Sequence, residues 1–337
     1  MSTKIYLIRH AEAEGNLFRV AHGQYNSTLT PRGYRQLRYL RDRFQDIHID
    51  AVYGSDLLRA HTTASAIYVP KGLEFHPMPL LREIRIGCWE QLSWGEILRL
   101  DADMYTKFNK RPDLWRAEGA ETFAEVRDRT ISAIRQIAAE NPGKTVAATS
   151  HGAALRTLLG TLQGMSLEEI GKTGHADNTA VSLIEVEGDD IRVIFRDDNS
   201  HVPAEVSTFR RQNWHKNDAA TEPGLWFQTV SEDETGKVVD GMLGETIAGR
   251  VAFHLDPGAL RITEFEIIPD LRGQRYGVQL LGQAVQYARR KGHEDVVLTC
   301  PESLAGYFAL YGFAETGRDG ESVHMTMDLR RVIRPIP

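Results

Sequence analysis

The chain is poor in cysteine, has no long apolar run and carries no excess of positive charge. Its two cysteines in 337 residues, Cys88 and Cys300, fall one in each half. That excludes a disulfide framework and any CxxC zinc pattern. No stretch approaches the ~18 consecutive apolar residues of a membrane span. The start, Met1 to His10, holds only the short run Ile5–Ile8, where a signal peptide needs a longer one. Residues 1–210 carry 26 Lys/Arg against 28 Asp/Glu, and the remainder 14 against 18. Neither half therefore offers the basic field by which nucleic acid is held. Internal repeats and low-complexity tracts are also missing. The expectation is a cytoplasmic protein with neither membrane nor nucleic-acid partners, in two domains at ~150 residues each. The sequence admits a homo-oligomer and leaves oligomeric state open.

What is present is an alternation of strands and helices. Lys4–Ile8 is apolar without polar alternation, as in a strand buried on both faces, and it ends in Arg9 and His10. Thr30-Pro31 reads as an N-cap followed by a first-turn proline, with Tyr34, Leu37, Leu40 and Phe44 on one helical stripe. Ala51–Tyr53 predicts a second strand, and Ser55 a cap for a helix running to about Tyr68. Thr122–Glu140 predicts a helix stopped by Asn141-Pro142-Gly143, and Thr145–Thr149 a buried strand ending before His151. Val181–Val186 and Ile191–Phe195 flank Gly188 as a hairpin. Such alternation implies a mostly parallel sheet, and ligands of such sheets bind beyond the carboxyl ends of the strands. Arg9, His10 and His151 all fall there. Beyond a polar stretch around Arg210–Gly224, strands are predicted near Leu225–Val230, Thr246–Leu255, Leu260–Ile268, Val296–Cys300 and Val323–Leu329. Helices are predicted at Tyr276–Arg290 and near Ser303–Leu310.

The first half holds the side chains that phosphate ester chemistry needs. Arginine gives bidentate donors to phosphate oxygens, and a neutral imidazole can attack phosphorus. Arg9, His10, Arg59 and His151 are such groups, with carboxyls at Glu83 and Glu90. Leu7-Ile-Arg-His-Ala-Glu-Ala-Glu-Gly-Asn16 resembles the R-H-G-E-T-E-x-N signature of the histidine phosphatase (phosphoglycerate mutase-like) superfamily. Four further stretches fit in order: His22-Gly23 with Leu29–Gly33, Ser55–Ala64, Leu81–Glu90 and Thr149–Gly152. The resemblance spans roughly residues 1–205. It implies His10 as nucleophile, Arg9, Arg59 and His151 as phosphoryl-binding residues, Asn16 and His22 as substrate-binding residues, and Glu83 as proton donor. Glu90 then reads as a rim carboxyl, and no metal is implied. Ala11, His22 and Gln91 depart from the family's pattern at the pocket rim. The longer motif of the mutase subfamilies is absent, which favours a hydrolase over a mutase. Asp101–Trp115, with Tyr105, Phe108 and Trp115, is either a lid or a packed helical cover.

In the second half, Phe265–Gly277 runs from a strand through a proline turn and glycine-bearing loop into a helix. Loop amides at a helix start cradle an anion without side-chain charge. The stretch Arg272-Gly-Gln-Arg-Tyr-Gly277 resembles the acyl-coenzyme A loop of the GNAT family of N-acetyltransferases. Leu304–Phe313 is similar to that family's closing motif. The resemblance, over roughly residues 225–330, implies acetyl-CoA as cofactor, held by Ile267, Arg272, Gly273, Gln274, Arg275, Tyr276 and Gly277. For acetyl transfer it points to Glu264 or Glu266 as base, which share one strand face, and to Tyr307 or Tyr311 as acid. Arg275 stands at the middle glycine position. Phe308 replaces the usual tyrosine.

The expected fold class is α/β: an N-terminal three-layer, mostly parallel sheet of phosphoglycerate mutase-like type, plus a C-terminal α+β GNAT-like domain. The expected domains are residues 1–208 and 224–337, joined by a linker at 209–223. The expected activity is hydrolysis of a small phosphorylated metabolite through a phosphohistidine on His10. Three alternatives stay open: a bifunctional phosphatase/acetyltransferase acting on one amine-bearing metabolite, a non-catalytic binding module, and a phosphoglycerate-type mutase.

Overall fold

The computed structural model describes residues 1–211 and 224–336. The greater part of the expected linker, from 212 to 223, lies outside the described residues. The chain opens with β1 (Thr3–Arg9), the short α1 (Glu14–Phe18), α2 (Pro31–Phe44), β2 (Ala51–Gly54), α3 (Leu58–Lys71) and β3 (Phe75–Pro77). Helices α4 (Trp94–Leu100), α5 (Ala102–Lys110) and α6 (Phe123–Glu140) then precede β4 (Thr145–Ser150), α7 (Gly152–Leu162) and α8 (Leu167–Ile170). The hairpin of β5 (Val181–Glu187) and β6 (Asp190–Asp198) closes the first sheet, whose strand order is β3-β2-β4-β1-β5-β6. β1, β2, β3 and β4 run parallel, and β5 and β6 are antiparallel. The interior parallel strands β2, β4 and β1 are apolar on both faces: Ile5, Leu7, Ala148 and Val146 face α6 and α7, while Ile8, Val52 and Ala147 face α2 and α3.

Local signals account for most boundaries. The Thr30 hydroxyl accepts from Gly33 N–H ahead of Pro31, and Thr122 forms a capping box with Glu125. Ser55 requires a correction. Helix α3 begins only at Leu58, with Leu57 in the cap position and no capping side chain. The Ser55 hydroxyl accepts from Leu57 N–H instead and bonds to His151.

The second sheet comprises β7 (Trp226–Glu232), β8 (Gly236–Leu243), β9 (Thr246–Asp256), β10 (Ala259–Ile267), β11 (Asp295–Pro301), β12 (Ala314–Asp319) and β13 (Ser322–Asp328). Its order is β12-β13-β11-β10-β9-β8-β7, and β10 with β11 is the parallel pair. Helix α9 (Tyr276–Lys291) provides the crossover and buries one face of the sheet; α10 (Glu302–Ala309) packs beside β13. Strands β8 and β12 were not expected from sequence. Glycines 236 and 241 with Lys237 and Asp240 break the apolar alternation of β8, and β12 is a polar edge strand with little burial. Only pairing with neighbours makes them strands.

The two sheets share apolar packing. Leu17, Phe18 and Val20 are buried in the same cluster as Leu280, Leu281 and Val285 of α9. At the other end, Ile336 is buried among Ile8, Ala11 and Leu37 of the first core. Among the described residues no helix is long and apolar enough to cross a membrane.

Candidate functional site

Parallel pairing assembles the first site. β1 and β4 run side by side with Arg9 opposite Ser150, so the next residues, His10 and His151, emerge together at the carboxyl edge. Their rings lie 5.2 Å apart, centroid to centroid. The His10 Nδ1 is 2.7 Å from the Ala11 carbonyl. A carbonyl oxygen only accepts, so Nδ1 carries the proton and Nε2 keeps its lone pair. Burial, reinforced by the nearby Arg59 and Arg9 cations, pushes the His10 imidazole well below its ordinary range. It is neutral at neutral pH, as a nucleophile must be.

Around His10 are cations that burial has stripped of water. Arg59 is fully buried, and its Nη1 and Nη2 donate to the carbonyls of Tyr25 and Gly23 at 2.9 and 2.8 Å. Burial lowers it to about 10, which still leaves it charged. Arg9 donates to the Ala176 carbonyl, lies over the Phe209 ring and is also lowered by burial. The Nε atoms of Arg9 and Arg59 and Nδ1 of His151 are buried without a protein partner. His151 Nε2 lies 2.8 Å from the Ser55 hydroxyl. Because that hydroxyl already accepts from Leu57, we assign its proton to the His151 Nε2 contact and the imidazole proton to Nδ1. Burial and then Arg59 hold His151 well below the usual imidazole range. Such converging donors in a dry site suit an oxyanion.

Glu83 lines the same cavity as His10. Its carboxylate accepts from Ala153 and Ala154 N–H at the start of α7, at 3.1 and 2.9 Å, and from Ile84 N–H at 3.0 Å. Arg129 of α6, which the sequence reading missed, donates to the carbonyls of Leu80, Arg82 and Glu83 and pairs with Glu121. It fixes the turn that carries Glu83. Asn178, also missed, donates to the His10 carbonyl at 2.8 Å and to Asn16 Oδ1 at 3.4 Å. No motif in the sequence marks either residue, because each acts through backbone carbonyls. Glu90 accepts from Gln24 N–H at 2.9 Å, a rim contact.

These groups line one cavity of about 150 Å³, with Arg9, His10, Asn16, His22, Arg59 and Glu83 on its floor and walls. His151 is fully buried beside His10. A side chain at Gly15 would collide with the His22 ring, so the glycine lets His22 lie against α1. The outer wall is apolar and aromatic: Ile84, Ile86, Trp94, Tyr105 and Phe108. Of the lid candidates, Tyr105 and Phe108 reach this wall, while Trp115 is wholly buried beside Trp89 and Phe123.

A second cavity of about 450 Å³ lies in the second domain, between the end of β10, the start of α9 and α10. Ile267, Arg272, Gly273, Arg275, Tyr276, Gly277, Tyr307 and Tyr311 border it; Gln274 does not, and its amide turns back to the Asp270 carbonyl. Gly273 and Arg275 both have positive φ, 77° and 68°. Arg275 thus adopts the backbone of the glycine it replaces. A Cβ at Gly277 would collide with the Tyr307 hydroxyl. Burial raises the Tyr307 phenol above its ordinary range. Phe265 and Ile267 pack toward α9, so Glu264 and Glu266 are both exposed; Glu266 borders the cavity and Glu264 does not. Phe308 is buried in the core.

Comparison with known proteins matches each half to a family model. The model of the histidine phosphatase superfamily (branch 1) matches residues 5–199, and that of the acetyltransferase (GNAT) family matches residues 191–313. The second match begins inside β6, which belongs to the first sheet. Phosphoserine phosphatase 1 of Hydrogenobacter thermophilus is 28% identical over 55% of this chain and 87% of its own length. The metal-independent phosphoserine phosphatase of Arabidopsis thaliana is 30% identical over 54% of this chain and 76% of its own. Among solved structures, Bacillus stearothermophilus YhfR superposes with a TM-score of 0.58 at 30% identity, covering 60% of this chain and all of its own. A phosphoserine phosphatase mutant of Entamoeba histolytica in complex with phosphoserine gives a TM-score of 0.53 at 26% identity, covering 60% and all of its own.

Proposed function

This chain belongs to the histidine phosphatase superfamily (branch 1) and is a phosphoric monoester hydrolase; we propose that it acts on a small phosphorylated metabolite through a phosphohistidine on His10. The observation that carries this reading is the orientation of His10. Its Nδ1 is tied to the Ala11 carbonyl, and Nε2 keeps an unprotonated lone pair near Arg9, Arg59 and His151. Nε2 attacks phosphorus as the P–O bond to the leaving alcohol breaks. Arg9, Arg59 and the His151 Nδ1–H hold the three equatorial oxygens, with Asn16 and His22 at the edge. The Glu83 carboxyl gives its proton to the departing alkoxide. In the second half the Glu83 carboxylate takes a proton from water, hydroxide adds to phosphorus, and the N–P bond breaks. Inorganic phosphate leaves and His10 is neutral again. The apolar wall favours a leaving alcohol with some apolar body, and relatives bearing the phosphoserine phosphatase name make phosphoserine one substrate to test. Rapid quench with a radiolabelled substrate should trap an acid-labile phosphoenzyme that His10→Ala abolishes along with turnover. Undiminished turnover by that variant would sink the assignment. A mutase would return the phosphoryl group to a second hydroxyl, and free phosphate distinguishes the two.

The second domain is read as an acetyl-CoA site. Its loop conformation and apolar cavity suit the group: positive φ at Gly273 and Arg275 turns the backbone toward the start of α9. Arg272, Gly273, Arg275, Tyr276 and Gly277 would hold the pyrophosphate, and Ile267 would flank the pantetheine arm; the Gln274 side chain turns away from the cavity. When bound, acetyl-CoA supplies an activated acyl thioester. Tyr307 keeps its proton at the cavity, where an acid is needed; Tyr311 stands beside it, with ring centroids 5.0 Å apart. Equilibrium dialysis with acetyl-CoA tests this reading; no detectable binding would count decisively against it.

A further inference from the structure

Helix α1 is only five residues long, and its local side-chain cap is Asn16 Oδ1, accepting from Ala13 N–H at 3.1 Å. A helix so short does not hold itself in water. Yet α1 supplies Gly15 and Asn16 to the phosphatase cavity, and His22 lies against it. First-domain contacts at Thr28 and Asn178 meet α1 on one side, and the second domain packs against the other. Phe18 and Leu17 are buried in that domain's core, and a Cβ at Gly282 of α9 would collide with Phe18. Seven residues further along α9, Arg289 Nη2 donates to Glu14 Oε1 at 2.5 Å, and Nη1 to the Leu329 carbonyl at 2.7 Å. The pair is 5% and 6% exposed. The same Glu14 oxygen accepts from the Thr28 hydroxyl at 2.7 Å, and Glu14 N–H donates to the Thr28 carbonyl at 3.1 Å. The Arg289 charge also contributes to the depressed His22 imidazole.

We propose that Arg289 is a positioning residue of the phosphatase supplied by the second domain: its buried ion pair with Glu14 sets α1, and through it Asn16 and His22, at the phosphoryl site. The proposal rests on the phosphatase reading above. It gives the second domain a part in the first domain's reaction that does not require acetyl transfer. The shared cluster and the ion pair together make α9 the outer wall of α1. Losing one partner of such a pair leaves a buried charge uncompensated, so α1 should shift rather than merely loosen.

The test uses the full chain and p-nitrophenyl phosphate. Arg289→Met should lower kcat/KM at least tenfold, with KM carrying more of the loss than kcat, and Arg289→Lys should recover most of it. Arg99→Ala removes a separate contact between the halves, the Arg99 guanidinium 3.9 Å from the Trp226 ring centroid, and should leave kcat and KM unchanged. If Arg289→Met fails to fold, the double variant Glu14→Gln/Arg289→Met, which buries no lone charge, should fold and show the same raised KM. Wild-type kinetics in Arg289→Met or the double variant would overturn the proposal, as would an equal loss in Arg99→Ala. A wild-type chain inert toward every phosphomonoester would overturn the phosphatase reading and this proposal with it. An active wild type with an indifferent Arg289→Met overturns this proposal alone.

Discussion

On the proposed reading, the two cavities would hold anions by opposite means. The first gathers charged and titratable side chains, Arg9, His10, Arg59 and His151, and buries them so deeply that their pKa values fall. The second uses backbone shape, positive φ at Gly273 and Arg275 ahead of a helix start, within a lining of Phe265, Leu271, Tyr307 and Phe308. A site that changes the charge on its substrate needs fixed charges of its own in a low dielectric. A site that only seats a pyrophosphate can rely on amides and a helix end. Both arrangements suit a chain whose net charge is −6, because neither depends on a global positive field.

The contrast can be broken experimentally. The largest effect is expected at Arg59, where Arg59→Met should lower kcat by ~10²–10³, the usual loss for one oxyanion donor. Steady-state kinetics checks this, and a loss under threefold would mean that the first site does not depend on its buried charge. At the second site bulk should matter more than charge. Gly277→Leu forces a side chain against Tyr307 and should weaken acetyl-CoA binding at least tenfold by calorimetry. Arg275→Gly should have a smaller effect, within about threefold in Kd, because the backbone already has a glycine conformation. A loss beyond tenfold would assign Arg275 a charge contact and erase the distinction.

The smallest effect is a pH dependence of stability. His10, His22 and His151 all have folded pKa values pushed well below the ordinary range by burial. The unfolded chain therefore takes up protons first as pH falls below ~6.5. Their contribution to stability is complete above that value and is lost as pH falls through it toward the folded values. Each kcal/mol lost should lower Tm by about 2–4 °C for a domain of this size. Among the described residues no histidine lines the second cavity, so saturating acetyl-CoA should not alter this slope. A Tm that stays flat from pH 7 to 5 would contradict the buried neutral imidazoles.

Much of the first site was legible in the sequence because its chemistry sits in short contiguous motifs at strand ends. Arg9-His10 and His151 follow two apolar runs, and parallel pairing of such runs is the ordinary outcome of strand–helix alternation. Ser55 shows the limit of local reading. A serine before a helical stripe reads as a cap, but its hydroxyl is engaged by His151, ninety-six positions away. Arg129 and Asn178 were invisible for a related reason: they hold carbonyls, and a carbonyl leaves no trace in residue type. Strand β12 was missed because an edge strand need not be apolar on either face.

By itself the sequence determined the kinds of chemistry this protein carries. The residue types that attack phosphorus or turn a chain around an anion are few, and each sits in a short motif readable by itself. Tertiary structure alone decided that the two halves share a core and that Arg289 reaches Glu14 across 275 positions. A contact of that separation depends on how the whole chain returns on itself, and no local propensity encodes it.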